Sequence, residues 1–148
     1  MGLDVGEVRI GVAVSDELGL VARALDTIER TGGKRDFETV LKLVGTHDVE
    51  HIVVGYPLNL DGSIGSQAER ITEFRERLGT LTPIEVSLWD ERFSSQSAER
   101  VLIESGMQRR KRKYTIDKVA AVVILQHFLD HRNSAASKAP QSLDEHGE

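Results

Sequence analysis

Apolar and polar positions alternate in three short runs at the start of the chain. Residues 1–5, 9–14 and 20–28 each predict a β-strand, and the second strand is half-buried. Between its apolar residues this second run carries Gly11 and Ala13, so we expect another element to pack closely on that face. Only short turns join the three runs, which therefore predict an antiparallel meander.

After Gly33 the apolar positions change to a helical period. The remaining elements predicted from period and length alternate between helices and strands, with the first helix expected to be amphipathic and the last one to be a core helix. They are a helix over 37–44, a buried strand over 51–55, a helix over 68–78, a strand over 84–89 after Pro83, a helix beginning at Ser94 or Ser95, and a last helix from Thr115 through Leu129.

This order of elements predicts an α/β fold. A three-strand start followed by alternating helices and strands indicates a five-stranded mixed sheet whose first three strands are antiparallel, with helices on both faces. The segment 133–148 is rich in small and polar residues and is typical of a disordered tail. We therefore expect one domain over residues 1–132.

Composition agrees with a single globular domain. The chain has 148 residues, of which 39% are hydrophobic and 29% charged. No apolar run reaches the roughly 18 residues of a membrane span, and no export signal is visible at the start. The chain has no cysteine, which excludes disulfides and thiolate chemistry. These features are typical of a cytoplasmic protein with no membrane partner.

Positive charge is concentrated in one place although the net charge is −5. The run 109–113 reads RRKRK and could grip phosphate groups, which would point to a nucleic-acid partner. A charge run that is merely solvated remains the alternative. Binding through five phosphates would give a slope of about −3.5 to −4.5 for log affinity against log salt.

Four acids are candidates for metal chemistry: Asp4, Asp90, Glu91 and Asp117. The first three follow predicted strands, and ligands gather beyond the carboxyl ends of strands in α/β sheets. Adjacent strand residues point to opposite faces, so Asp90 and Glu91 cannot both face Asp4 while the strand continues. Crowded carboxylates repel one another and favour a divalent cation, and oxygen ligands favour Mg²⁺ or Mn²⁺. Each acid also has an ordinary interpretation. Asp4 could be a turn former, Asp117 could interact with a helix dipole, and Asp90 and Glu91 could belong to a surface charge cluster.

Four ordered segments together resemble one family. LDVGEVRIGVAVSD, GYPLNLDGSIG, WDERFSS and TIDKVAAVVILQHFL are similar, in this order, to the motifs of the YqgF/RuvX family, and the resemblance extends from Leu3 to Leu129. Members of that family are named Holliday junction resolvases or pre-16S rRNA nucleases. The resemblance implies an RNase H-like fold in which the first strand lies beside the fourth.

The resemblance also implies the roles of the acids. Asp4, Glu91 and Asp117 would be the catalytic, metal-binding triad, with Asp90 as a neighbour of Glu91. They would hold one or two Mg²⁺ (or Mn²⁺) ions for phosphodiester hydrolysis. Family members usually carry several more residues before the first aspartate, so we expect either that the true start lies upstream or that the first strand is short and holds Asp4 less firmly.

Other residues would contact the nucleic acid, either pre-rRNA or branched DNA. They are Arg9, Asn59, Arg92, Arg109, Arg110, Lys111, Arg112 and Lys113. Ribosomal particles are a further expected partner, and the expected state is a monomer or weak homodimer. Trp89 is expected to belong to the core rather than to stack on a base.

Two other functions stay open at this point. A non-catalytic nucleic-acid-binding module could keep the same fold. An ATP-binding domain of the actin and Hsp70 kind shares the D-x-G turn of Asp4, but such proteins enclose ATP between two domains, and here Glu7 and Arg9 stand where small hydroxyl residues are usual.

Overall fold

The computed structural model describes residues 1–57, 65–90 and 119–134. Its strands and helices follow the predicted order closely. They are β1 (Gly2–Val5), β2 (Arg9–Ser15), β3 (Ala22–Glu29), α1 (Lys34–Thr46), β4 (His51–Tyr56), α2 (Ser66–Leu81) and β5 (Glu85–Asp90). Residues 119–134 are helical as well, and we call them the last helix.

The five strands form one mixed sheet in the order β3-β2-β1-β4-β5. β1, β2 and β3 pair antiparallel, whereas β4 runs parallel to β1 and β5 runs parallel to β4. The predicted meander, the mixed sheet and the position of the first strand beside the fourth are all confirmed.

One face of the sheet carries the main core. Leu3, Ile10 and Val54 are fully buried there under the two helices α1 and α2. Phe37 of α1 and Phe74 of α2 join the two helices through stacked rings whose centroids are 4.8 Å apart. This apolar layer follows directly from the helical and strand periods of the sequence.

The last helix packs on the opposite face, where the strands carry small residues. A Cβ built on Gly2 would lie 2.8 Å from the Cβ of Leu125 and 3.1 Å from the carbonyl oxygen of Ala121. Ala13 is fully buried in the same cluster. The predicted close packing on this face is confirmed, and helices cover both faces of the sheet. None of the helices in the described ranges is long and apolar enough to cross a membrane.

The last helix continues beyond Leu129, its predicted end, to residue 134. Residues 133 and 134, which were assigned to the tail, are therefore helical. Polar contacts explain the difference: Asn133 Nδ2 donates to the carbonyl of Gly19 at 3.0 Å, and Gln126 binds both Ala22 N and Leu20 O. The predicted start at Thr115, the helix after Ser94 or Ser95 and most of the tail lie outside the described residues.

The expectation of a weakly held first strand is wrong. β1 is short, but it lies at the centre of the sheet and pairs with a strand on each side. Leu3 is completely buried, and Val53 N donates to the carbonyl of Met1 at 2.8 Å. Central pairing, rather than strand length, fixes the position of Asp4.

Candidate functional site

Three parallel strands end at one edge of the sheet. Leu3 of β1 is aligned with Val54 of β4, and Tyr56 of β4 is aligned with Asp90 of β5. Asp4 and Asp90 therefore both lie at this edge. The antiparallel strand β2 begins there, so the edge also carries Arg9.

Asp4 faces the side of the sheet on which the last helix packs. It lies two residues after Gly2, which contacts Leu125 of that helix, and residues two apart on a strand share a face. Its partner on β2 is Gly11, and the parallel register leads to Gly55 on β4. Glycine on both sides lets other atoms approach the backbone beside a half-buried carboxylate.

Trp89 of β5 is paired with Gly55 and therefore lies in the row of residues that crosses the sheet through Asp4. Its ring contacts Phe128 and His131 of the last helix, with centroids 5.6 Å and 5.3 Å apart. The indole is only partly buried, which differs from the expected core position. Asp90 follows Trp89 on the strand, so its Cα–Cβ bond points away from the face of Asp4.

Arg9 reaches the same face diagonally from Asp4. Asp4 is opposite Gly11 on β2, and Arg9 is two residues from Gly11. The Nε atom of Arg9 is 3.2 Å from Oε1 of Glu29 on β3. An exposed pair of this kind contributes little to stability.

The turn that follows Asp4 is held by a partly buried ion pair. Arg30 Nη1 donates to the carbonyl of Gly6 at 2.9 Å, and Arg30 N donates to the carbonyl of Val8 at 2.8 Å. Its Nε atom lies 3.2 Å from Oδ2 of Asp36, the buried acid in the first turn of α1. The guanidinium also lies over the ring of Phe74, 5.6 Å from its centroid.

Asp36 is 1% exposed and is a structurally important residue that the sequence analysis did not single out. Burial alone would raise the pKa of its carboxyl group. Hydrogen bonds from the amide and hydroxyl of Thr31, the amide of Gly32 and the guanidinium of Arg30 outweigh burial and lower this pKa. The sequence does carry a signal for this residue. Asp36 falls in the first helical turn after Gly32-Gly33, and Arg30 precedes it by six residues.

The other predicted site residues lie outside the described ranges. They are Asn59, Glu91, Arg92, Arg109, Arg110, Lys111, Arg112, Lys113 and Asp117. Within residues 1–57, 65–90 and 119–134, no three histidine or acidic side chains form a cluster that could hold a metal ion. The described part of the edge therefore contributes Asp4, Arg9, Trp89 and Asp90.

Comparison with known proteins identifies the family. The family model described as "RuvX: Holliday junction resolvase" matches residues 1–131. The chain belongs to the RuvX family. Among curated members, a protein of Carboxydothermus hydrogenoformans is 46% identical over 133 residues, covering 90% of this chain and 96% of the relative. A protein of Bacillus cereus strain AH187 is 48% identical over 134 residues, covering 89% and 98%. Both are named "Putative pre-16S rRNA nuclease".

Solved structures show the same fold for this RuvX chain. RuvC of Thermus thermophilus in complex with a Holliday junction substrate superposes with a TM-score of 0.56 at 16% identity, covering 88% of this chain and 93% of RuvC. A second Thermus thermophilus RuvC structure gives 0.53 at 14% identity, with 90% and 95% covered. At this identity the similarity shows the fold, which is RNase H-like as the motifs imply.

Proposed function

We propose that this RuvX-family chain is a metal-dependent nuclease that hydrolyses phosphodiester bonds in the 5′-end maturation of pre-16S rRNA. The observation that carries the proposal is the position of Asp4. This carboxylate lies on the central strand, at the carboxyl edge of the parallel strands, with Gly11 beside it. The names of relatives that are 46% and 48% identical point to the same activity and the same substrate.

The chemistry of the donor set suits a hard divalent cation. Asp4, Glu91 and Asp117 offer only carboxylate oxygens, which are the preferred ligands of Mg²⁺ and Mn²⁺. A divalent cation bound there would supply Lewis-acid activation of water and of the scissile phosphate. The central position of β1 would hold the Asp4 oxygens in a constant place during the reaction.

The choice of Glu91 over Asp90 comes from the family resemblance, and the orientation of Asp90 agrees with it. Trp89 shares the face of Asp4, and Asp90, the last residue of β5, is directed to the other face. For Asp117, a place in the first turn of a helix would favour the ionised carboxylate through the helix dipole.

The chain's own cations would orient the substrate. Arg9 lies on the face of Asp4 and can offer its guanidinium to a phosphate oxygen. Asn59, Arg92 and the run 109–113 would extend this contact along the nucleic acid. Such binding would be electrostatic, and it would weaken steeply as the salt concentration rises.

Four-way DNA is the second candidate substrate because the matching family model is described as a Holliday junction resolvase. A resolvase must make two symmetric cuts and therefore has to act as a dimer, whereas trimming one RNA end needs a single protomer. The rRNA proposal places the protein in the cytoplasm with ribosomal particles as a partner.

An assay with two substrates tests the proposal. The protein is incubated with Mg²⁺, or with EDTA, and with a labelled 5′-extended 16S precursor or a labelled four-way junction. We expect cleavage of the precursor in Mg²⁺ only, with a 5′-phosphate on the product. Cleavage confined to the junction would favour the second substrate, and no Mg²⁺-dependent cleavage of either would favour a non-catalytic binding module.

Paired variants connect the activity to the site. Asp4→Asn should abolish cleavage, and Glu17→Gln, which changes an exposed carboxylate on the β2–β3 turn, should leave it unchanged. Full activity of Asp4→Asn would remove Asp4 from the mechanism. The ATP-binding alternative requires the turn after Asp4 to meet phosphate, but Glu7 places an exposed carboxylate on that turn, where it would repel phosphate.

A further inference from the structure

Beside the carboxyl edge of β5 lies an open depression of about 600 Å³. It is lined by Trp89, Asp90, His127, Asp130 and His131. These residues belong to β5 and to the exposed side of the last helix. The depression adjoins the row of residues that contains Asp4.

The indole of Trp89 is held in a defined orientation. Phe128 meets it edge to face at an interplanar angle of 89°, and the ring of His131 lies against it at 56°. Phe128 is itself fixed by an edge contact with His51, with centroids 5.1 Å apart. A partly exposed aromatic ring that is fixed before a ligand arrives loses little conformational entropy on binding.

Charge around the depression favours a nucleobase over a phosphate group. Asp130 contributes a carboxylate, which repels phosphate and can accept hydrogen bonds from the amino groups of bases. The carboxylate of Asp130 is oriented by Gln126, whose Nε2 atom donates to Oδ1 at 3.0 Å. Trp89 and His131 offer ring faces on which a planar base can stack.

The distance to Asp4 fits two parts of one bound strand. β1 and β5 are separated by β4 alone, so the Cα atoms of Trp89 and Asp4 lie two strand spacings apart, or roughly 10 Å. Neighbouring nucleotides of one strand can bridge that separation. A scissile phosphate at Asp4 would then bring an adjacent base to the depression.

We propose that Trp89, supported by His131, is a stacking site for an unpaired nucleobase next to the scissile phosphate. The site selects single-stranded substrate, because a base must leave its helix to lie on an aromatic ring. This inference rests on the proposed nuclease function and adds a specificity-determining contact to it.

Trp89 is the only tryptophan of the chain, so its fluorescence reports on this site alone. The protein is titrated in EDTA with a labelled single-stranded RNA oligonucleotide, and in parallel with the same sequence as a duplex. Anisotropy of the label measures binding, and indole emission measures stacking. We expect the single strand to quench the emission and the duplex to leave it unchanged. An abasic nucleotide at the contacted position should restore the emission.

Two variants extend the test. Trp89→Leu keeps an apolar side chain but removes the ring, and should bind the single strand about 5- to 150-fold more weakly, whereas Trp89→Phe should lose less. Unquenched emission at saturation, or equal quenching by the duplex, would overturn the stacking site. Mg²⁺-dependent cleavage would still support the nuclease function in that case. An oligonucleotide that binds neither in EDTA nor in Mg²⁺ would overturn both.

Discussion

At the scale of single residues, a buried carboxylate stabilises the backbone beside the site. Asp36 accepts hydrogen bonds from Arg30, Thr31 and Gly32, and Arg30 in turn holds the carbonyl of Gly6, two residues after Asp4. The pair links the start of α1 to the turn between β1 and β2. Its influence on Asp4 is therefore indirect, through the position of that turn.

Replacing Asp36 with Asn should lower the free energy of unfolding by about 1–3 kcal/mol, because the partly buried guanidinium of Arg30 would lose its charged partner. Denaturant unfolding measures the change. Glu38→Gln, an exposed acid on the same helix, should change stability by less than about 0.5 kcal/mol. Equal effects of the two substitutions would contradict the role given to Asp36.

The Asp36 contribution should also depend on pH. Its pKa is lower in the folded chain than the value of about 3.9 expected when unfolded. The stabilisation is therefore complete above about pH 4 and is lost as the pH falls through the lower folded pKa. Unfolding experiments on the wild type and Asp36→Asn should show a stability difference that is constant near neutral pH and shrinks under acid conditions. A difference that grew as the pH fell would contradict the lowered pKa.

At the scale of elements, small side chains decide how closely the last helix approaches the sheet. Gly2 and Ala13 leave room for Ala121 and Leu125, so helix and strands are in direct contact. Polar side chains of Gln126 and Asn133 then fasten the helix to the β2–β3 turn. The helix is thus fixed to the sheet face that carries Asp4.

Gly2→Ala should destabilise the fold by about 1–3 kcal/mol, because the new methyl group would overlap Leu125 Cβ and backbone that cannot move independently. Gly79→Ala is the matched control: nothing lies within 4 Å of its Cβ position, and it sits inside α2. That substitution should stabilise the protein by about 0.5–1 kcal/mol. Thermal unfolding of both variants checks the opposite signs, and a neutral Gly2→Ala would contradict the close packing.

At the scale of the whole molecule, local patterns were sufficient for the elements and their layers, whereas the place of the first strand beside the fourth came from the family resemblance. Alternation and helical period depend on neighbouring residues, so the strands, α1, α2 and the two covered faces were predictable. Contacts such as Asn133 with Gly19 join residues far apart in the chain and leave no periodic signal. For that reason the extension of the last helix past Leu129 was missed. Strand length alone was also a poor guide to β1, which is held in place by pairing with β2 and β4.

The candidate site was predictable only in part. Asp4 could be placed because it ends a strand, and parallel strands bring their carboxyl ends to one edge. Grouping it with Glu91 and Asp117 came from resemblance, since spacing alone left Asp90 as an equal choice. Alternation along β5 directs Asp90 away from the face of Asp4. Asp36 was missed because its partners are backbone amides and one arginine, which no acidic motif marks.

Metal binding tests the central claim most directly. Mn²⁺ binding, followed by the electron paramagnetic resonance of the free ion, is compared among the wild type, Asp4→Asn and Glu17→Gln. We predict that Asp4→Asn weakens Mn²⁺ binding by at least about tenfold, with Glu17→Gln equal to wild type. Equal Mn²⁺ affinity in Asp4→Asn and wild type would contradict a metal site built on Asp4.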